Sequence, residues 1–186
     1  MAHFVGIDQA LTKIGICVLT DGEVALLHLL KPPRKVKGPE RLKFLRDALA
    51  QTLEPYRDEI RHAALEGQSL GSVGDIDGLG QINGVVQVLL TDLGVKRPLV
   101  VPPGTLKKFV SGNGQAKKSM MRRVTRETWK IDIDQDDLCD AHGLARFAEE
   151  YVEKKSVLRH QIEAIHRFLH GKKRRAPIKT LFKNAI

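Results

Sequence analysis

The chain has 186 residues, of which 31 are Lys or Arg and 22 are Asp or Glu, giving a formal net charge of +9. That length fits one globular domain, the 42% apolar content supplies a core, and no apolar run nears the ~20 residues that cross a bilayer, so a membrane-spanning helix is excluded. Cys17 and Cys139 are the two cysteines, too few for a disulfide framework or a four-cysteine zinc site, and both are expected as reduced core residues.

Met1-Ala2-His3-Phe4-Val5 has neither the basic stretch nor the apolar run of a secretory signal, so a cytosolic protein is expected. Phe4 to Ile7 reads as a strand that ends at Asp8. Ile14 to Leu19 is a β-branched second strand, and Asp21-Gly22 signals a hairpin into a third, Val24 to Leu30. A basic loop, Lys31 to Pro39, precedes a helix whose buried stripe is Leu42, Leu45, Leu49 and Leu53, with Pro55 as its stop. His62 to Leu65 is a short strand ending at Glu66, followed by a Gly-rich loop, Gly67 to Gly78, and a helix over Leu79 to Leu93.

Pro98 to Val101 reads as a parallel edge strand. Helical character begins at Lys107, breaks at Ser111-Gly112-Asn113-Gly114, and resumes over Lys117 to Thr128 with Met120, Met121 and Val124 inward. After an acidic turn, Asp132 to Asp136, a helix covers Asp137 to Tyr151, and a last amphipathic helix covers Val157 to Leu169. Three antiparallel strands followed by helix, strand, helix and strand predict an α/β fold: a mixed five-stranded sheet flanked by helices. The organisation expected is a main domain over residues 1–155, a C-terminal amphipathic helix over 156–170 and a basic tail over 171–186.

The charge is clustered. Residues 171–186 hold six basic side chains and no acid. Lys31 to Lys43 holds six against Glu40, and Lys107 to Lys130 eight against Glu127. Clustered cations release counterions from a polyanion, so nucleic acid is the expected partner, with Lys107, Lys108, Lys117 and Lys118 touching it; a solvated tail is the plain alternative for residues 171–186.

Four acids fall at telling places. Asp8 and Glu66 end the first and fourth strands, which a helical crossover makes neighbours, and Asp137 and Asp140 lie three apart on one helical face. Four carboxylates gathered there repel one another unless cations fill the space, and hard oxygen ligands suit Mg²⁺ or Mn²⁺, two of which would hold the attacking and leaving oxygens of a phosphodiester. Taken singly, each acid is more often a surface carboxylate or a cap. Asp134 and Asp136 are good cap candidates, and Asp136, four before Asp140, competes with Asp137 as a ligand.

These residues carry a family resemblance. Gly6-Ile7-Asp8-Gln9-Ala10-Leu11-Thr12-Lys13-Ile14-Gly15 resembles the opening motif of the RuvC-type Holliday junction resolvases. Ala64-Leu65-Glu66 is similar to their second acidic strand and Gly80-Gln81-Ile82-Asn83-Gly84-Val85 to their Gly-Gln-x-x-Gly-Val helix. Ser111-Gly112-Asn113-Gly114-Gln115-Ala116-Lys117-Lys118 resembles their glycine and lysine loop, and Asp137-Leu138-Cys139-Asp140-Ala141 their paired acids. The resemblance spans about Phe4 to Ala148. It implies a ribonuclease H-like fold, a homodimer, and symmetric paired nicking of four-way DNA junctions with two divalent ions, Mg²⁺ or Mn²⁺, held by Asp8, Glu66, Asp137 and Asp140. It also implies that Lys107 and Lys118 contact phosphate near the scissile bond and that water attacks in line, leaving a 5′-phosphate and a 3′-hydroxyl. Gly80 and Gly84 then mark a dimer contact or, equally, close packing within the chain. One departure is Gly67-Gln68-Ser69-Leu70 after Glu66, where bacterial members carry an aromatic residue for the crossover; Leu70 offers a wedge without a π-face.

The rivals are weaker. The first motif also resembles the phosphate loop of actin-like ATPases and sugar kinases, but Ala10 stands in place of a required glycine and the chain is too short for two lobes. A flap or fork endonuclease, or a non-catalytic nucleic-acid module of the same fold, is the nearest alternative function. His166 and His170 are spaced as in zinc proteases but lack the following Glu, and read as a solvated helix face.

Overall fold

The computed structural model describes residues 1–67, 76–156 and 158–171. The expectations for Leu70 and for the tail beyond Gly171 lie outside the described residues. The strands are β1 (His3–Ala10), β2 (Lys13–Thr20), β3 (Glu23–Leu30), β4 (Ile60–Glu66) and β5 (Leu99–Val101). The helices are α1 (Gly38–Leu53), α2 (Ile76–Asp92), α3 (Pro103–Ser111), α4 (Lys118–Trp129), α5 (Asp136–Glu153) and α6 (Arg159–His170). The strands form one sheet in the order β3-β2-β1-β4-β5, antiparallel across β1–β2–β3 and parallel from β1 to β4 to β5. This is the mixed α/β sheet expected. Asp21 and Gly22 turn the β2–β3 hairpin with φ of 48° and 85°, the left-handed pair that matches strand twist.

Strand alternation sorts the core into two layers. Val5 and Ile7 of β1, Ile14, Ile16 and Val18 of β2 and Ala63 and Leu65 of β4 face α1 and α2. Phe4, Cys17, Leu19 and Ala64 face α3, α4, α5 and α6. The even positions of β1 and β4 therefore look toward α5, and the next even residues beyond Gly6 and Ala64 are Asp8 and Glu66. Two glycines bring α5 onto that face. A Cβ on Gly6 would lie 2.0 Å from the Ala141 carbonyl oxygen, and one on Gly15 2.3 Å from that of Asp137, so helix backbone rests directly on sheet backbone.

Several boundaries depart from expectation. Helix α2 starts at Ile76, inside the stretch read as loop, because Ile82, Val86, Leu89 and Leu90 bury its inner face and outweigh its glycines. Helix α3 starts at Pro103 rather than Lys107, proline at a first helical position being pre-set for the turn. Pro55 ends α1 but not the helical course, which continues as a 3₁₀ segment, Glu54–Glu59. On α4 the buried positions are Met121 and Thr125, while Met120 and Val124 are half-buried. Thr125 tolerates burial because its hydroxyl meets Cys139 Sγ at 3.3 Å.

Candidate active site

The parallel ladder between β1 and β4 ends at Ile7 opposite Leu65. One residue further, Asp8 and Glu66 stand side by side and share a side-chain hydrogen bond. Asp137 and Asp140, on the first turns of α5, complete the walls of the same pocket of 390 Å³, together with Asp136, Lys107 and Lys118. The structure thus gathers all four acids read from the sequence, and Asp136 lines the pocket as well. Lys13, in the β1–β2 hairpin, makes an ion pair with Asp137. Lys118 binds Asp136 at 3.1 Å.

Crowding of like charges in a half-dry pocket shifts these groups. Asp8 is 9% exposed, and burial, with the charges of Glu66, Asp140 and Asp137 added, pushes its carboxyl up to about 9. Burial and Asp140 raise Glu66 to about 7 against the opposing pull of Asp8, Lys107 and Lys118. Asp140 rises to about 6, again chiefly through burial, with Lys118 and Lys107 holding it down. Burial and mutual repulsion thus favour the protonated forms of these three acids.

Among the described residues no group of three acidic, His or Cys side chains is arranged, as it stands, to hold a metal ion; the carboxylates line one pocket, with Asp137 and Asp136 drawn onto lysines. The donor set is oxygen only, under-neutralised and accessible, which fits a hard divalent cation that keeps part of its water.

The lysines divide. Lys107 and Lys118 line the pocket. Lys108 binds Glu163 of α6 at 2.9 Å, a tie between α3 and α6, and does not line the pocket. Lys117 is exposed at the residue preceding α4 and is not part of the pocket.

Sequence reasoning passes over the groups that hold Glu66 in place. Gln9 Nε2 donates to the Glu66 carbonyl at 2.8 Å, and Asn83 Nδ2 reaches the same oxygen at 3.4 Å. Both lie inside the resolvase-like motifs, and that is the signal by which they could be found. The buried Gln9 Oε1 has no partner among the described residues and belongs to a residue lining the pocket. Behind the site, fully buried His142 is kept neutral, lowered to about 3 by burial and by Arg146. It packs edge-on to Trp129 at 5.2 Å.

No protein-family model matches the chain. It is 28% identical over 125 residues, 64% of its own length and 75% of the relative's, to the crossover junction endodeoxyribonuclease RuvC of Corynebacterium jeikeium (strain K411). Among solved structures it is similar to Thermus thermophilus RuvC, with a TM-score of 0.64 and 22% identity over 76% of this chain and 89% of that one. It is also similar to T. thermophilus RuvC in complex with a Holliday junction substrate, with a TM-score of 0.67 and 20% identity over 78% and 91%. The class is therefore the ribonuclease H-like fold, with its acids at the ends of parallel strands. The particular protein that the chain resembles, in sequence and in fold alike, is RuvC.

Proposed function

We propose that this chain is a divalent-metal-dependent endonuclease that resolves four-way DNA junctions by paired nicks. The observation that carries the reading is the pocket in which Asp8, Glu66, Asp137 and Asp140 meet beside Lys107 and Lys118, on a fold like that of RuvC. Divalent ions bound there, Mg²⁺ with Mn²⁺ as substitute and two per site, would activate water and stabilise the departing oxygen. The chain's own part is to fix the carboxylates: Gln9 and Asn83 hold the end of β4, and the two glycines hold α5 against β1 and β2. Lys107 and Lys118, at the rim, neutralise the scissile phosphate and orient it toward the acids.

Two opposed strands need two such sites, supplied by a homodimer. The exposed face of α2 supports this: among the described residues a Cβ on Gly84 would meet no atom within 4 Å, and Val88, one turn on, is 61% exposed. The cytosol of a bacterial or phage-infected cell is the setting this activity fits.

The test compares four-way, forked and linear DNA in Mg²⁺ with the intact chain and Asp8→Asn. Symmetric nicks across the four-way junction are expected from the intact chain, and binding without cutting from the variant. Preferential cutting of the fork would assign a flap or fork nuclease instead, and DNA left whole by the intact chain would leave a binding module. Normal cutting by Asp8→Asn would refute the site.

A further inference from the structure

At the opposite end of β4 a second cavity, of 670 Å³, is rimmed by Arg61, Lys96 and Arg97 and floored by His62, Tyr151 and Phe168. Among the described residues no acid lines it. None of the three cations is in an ion pair among the described residues, including with Asp92, the acid that shares the adjoining surface with Lys96 and Arg97. The three are exposed and line one cavity, so an anion bound there would meet several positive charges. The floor is built: Tyr151 stands edge-on to His62 with ring centroids 5.3 Å apart, and its phenol is a donor suited to phosphate oxygen.

We propose that this cavity binds a backbone phosphate of a DNA arm, remote from the bond that is cut. The inference rests on the nuclease reading for the identity of the polyanion. Two rulers set its distance from the acids. Arg61 lies five residues before Glu66 on β4, about 17 Å at strand rise, and Tyr151 lies eleven residues after Asp140 on α5, about 16 Å at helical rise. Phosphates on one strand advance about 3.4 Å along the duplex axis, so the cavity addresses a phosphate about five nucleotides from the reacting one. A small free phosphate is the lesser reading. The chain beyond Gly171 starts three residues after Phe168 and carries six more basic residues with no acid, a charge run matched to a long polyanion.

The experiment is a salt titration of binding, by fluorescence anisotropy without divalent metal. It uses a long-armed four-way junction and a plain duplex, with the intact chain and the double variant Lys96→Ala/Arg97→Ala. Both residues are exposed and away from the acids, and an unchanged melting curve verifies the variant's fold. Each phosphate that goes unneutralised lowers the slope of log K against log salt by about 0.9, so a drop of about 0.9 and several-fold weaker binding are expected. Methylphosphonates placed about four to six linkages from the crossing point should weaken the intact chain and leave the variant unaffected. An unchanged slope on both DNAs overturns the proposal. So does a variant that loses ³¹P-detected binding of inorganic phosphate while keeping its DNA slope, which would assign the cavity to a small anion. Nicking in Mg²⁺ is read separately at saturating DNA: it should be unchanged in the variant, and DNA bound but uncut by the intact chain would refute the catalytic reading while leaving this one standing.

Discussion

Asp8 is the residue at which function and stability oppose each other. Its carboxyl titrates near 9 in the fold against about 4 when free, so the folded chain binds this proton more tightly than the unfolded one. Without divalent metal, stability is therefore highest at low pH with respect to this group, and it falls as pH rises from about 4 through about 9. Removing the charge by Asp8→Asn should flatten that dependence and stabilise the metal-free chain at pH 8 by about 2 kcal/mol, a rise in Tm of roughly 4–8 °C for this length. Thermal melts in chelator at several pH values check it. A lower Tm for Asp8→Asn would mean that the acid cluster is not strained. The same residue illustrates what one position reveals in a sequence. That Asp8 ends a β-branched run is legible, whereas its hydrogen bond to Glu66 depends on a register between strands more than fifty residues apart.

Among the elements, α5 is the one whose placement makes the pocket, and two glycines set its depth. Gly15→Ala puts a methyl group 2.3 Å from the Asp137 carbonyl oxygen, backbone that cannot rotate away, so α5 must shift outward. Overpacking of this kind costs about 1–3 kcal/mol. Because Asp137 and Asp140 ride on the displaced turn, a shift of about 1 Å should lower cleavage by as much as about 10²-fold. The loss should exceed that explained by the unfolded fraction, with kcat rather than KM affected; activity that falls only in proportion to unfolding would disprove the positioning role. The paired acids at helical spacing are readable in the sequence because a helix fixes its own geometry over one turn. The glycines are visible there as parts of a motif, but their reason, backbone resting on backbone, emerges only when sheet and helix are packed. Lys108 marks the limit of charge patterning: adjacent to Lys107 in sequence, it projects from another face of α3 and serves Glu163.

For the whole molecule, the distribution of charge and the exposed face of α2 carry the predictions. Deleting residues 172–186 removes six basic residues and should weaken junction binding and reduce its salt slope, by up to about 0.9 for each phosphate the tail neutralises, while leaving the chemistry at the acids intact. An identical slope would make the tail a solvated appendage. In the proposed dimer, Val88→Asp, on the open face of α2, should shift the chain to monomer in sedimentation without lowering the stability of the fold, and replace the proposed paired nicking with single nicks. A variant that sediments as the intact chain does would overturn the α2 contact.

By itself the sequence determined the strand and helix order, the parallel neighbourhood of β1 and β4, the acids that close the strands and the clustering of the basic residues, because periodicity and chain connectivity are local properties written in residue order. Only the tertiary structure decided that Asp136 joins the pocket, that Lys13 and Lys118 answer its acids, that Lys108 leaves it and that Arg61, Lys96 and Arg97 meet at the far end of the sheet. Those outcomes depend on register, face and distance between segments remote in the chain, and a side chain's neighbours across a packed interface are set by how whole layers seat on one another.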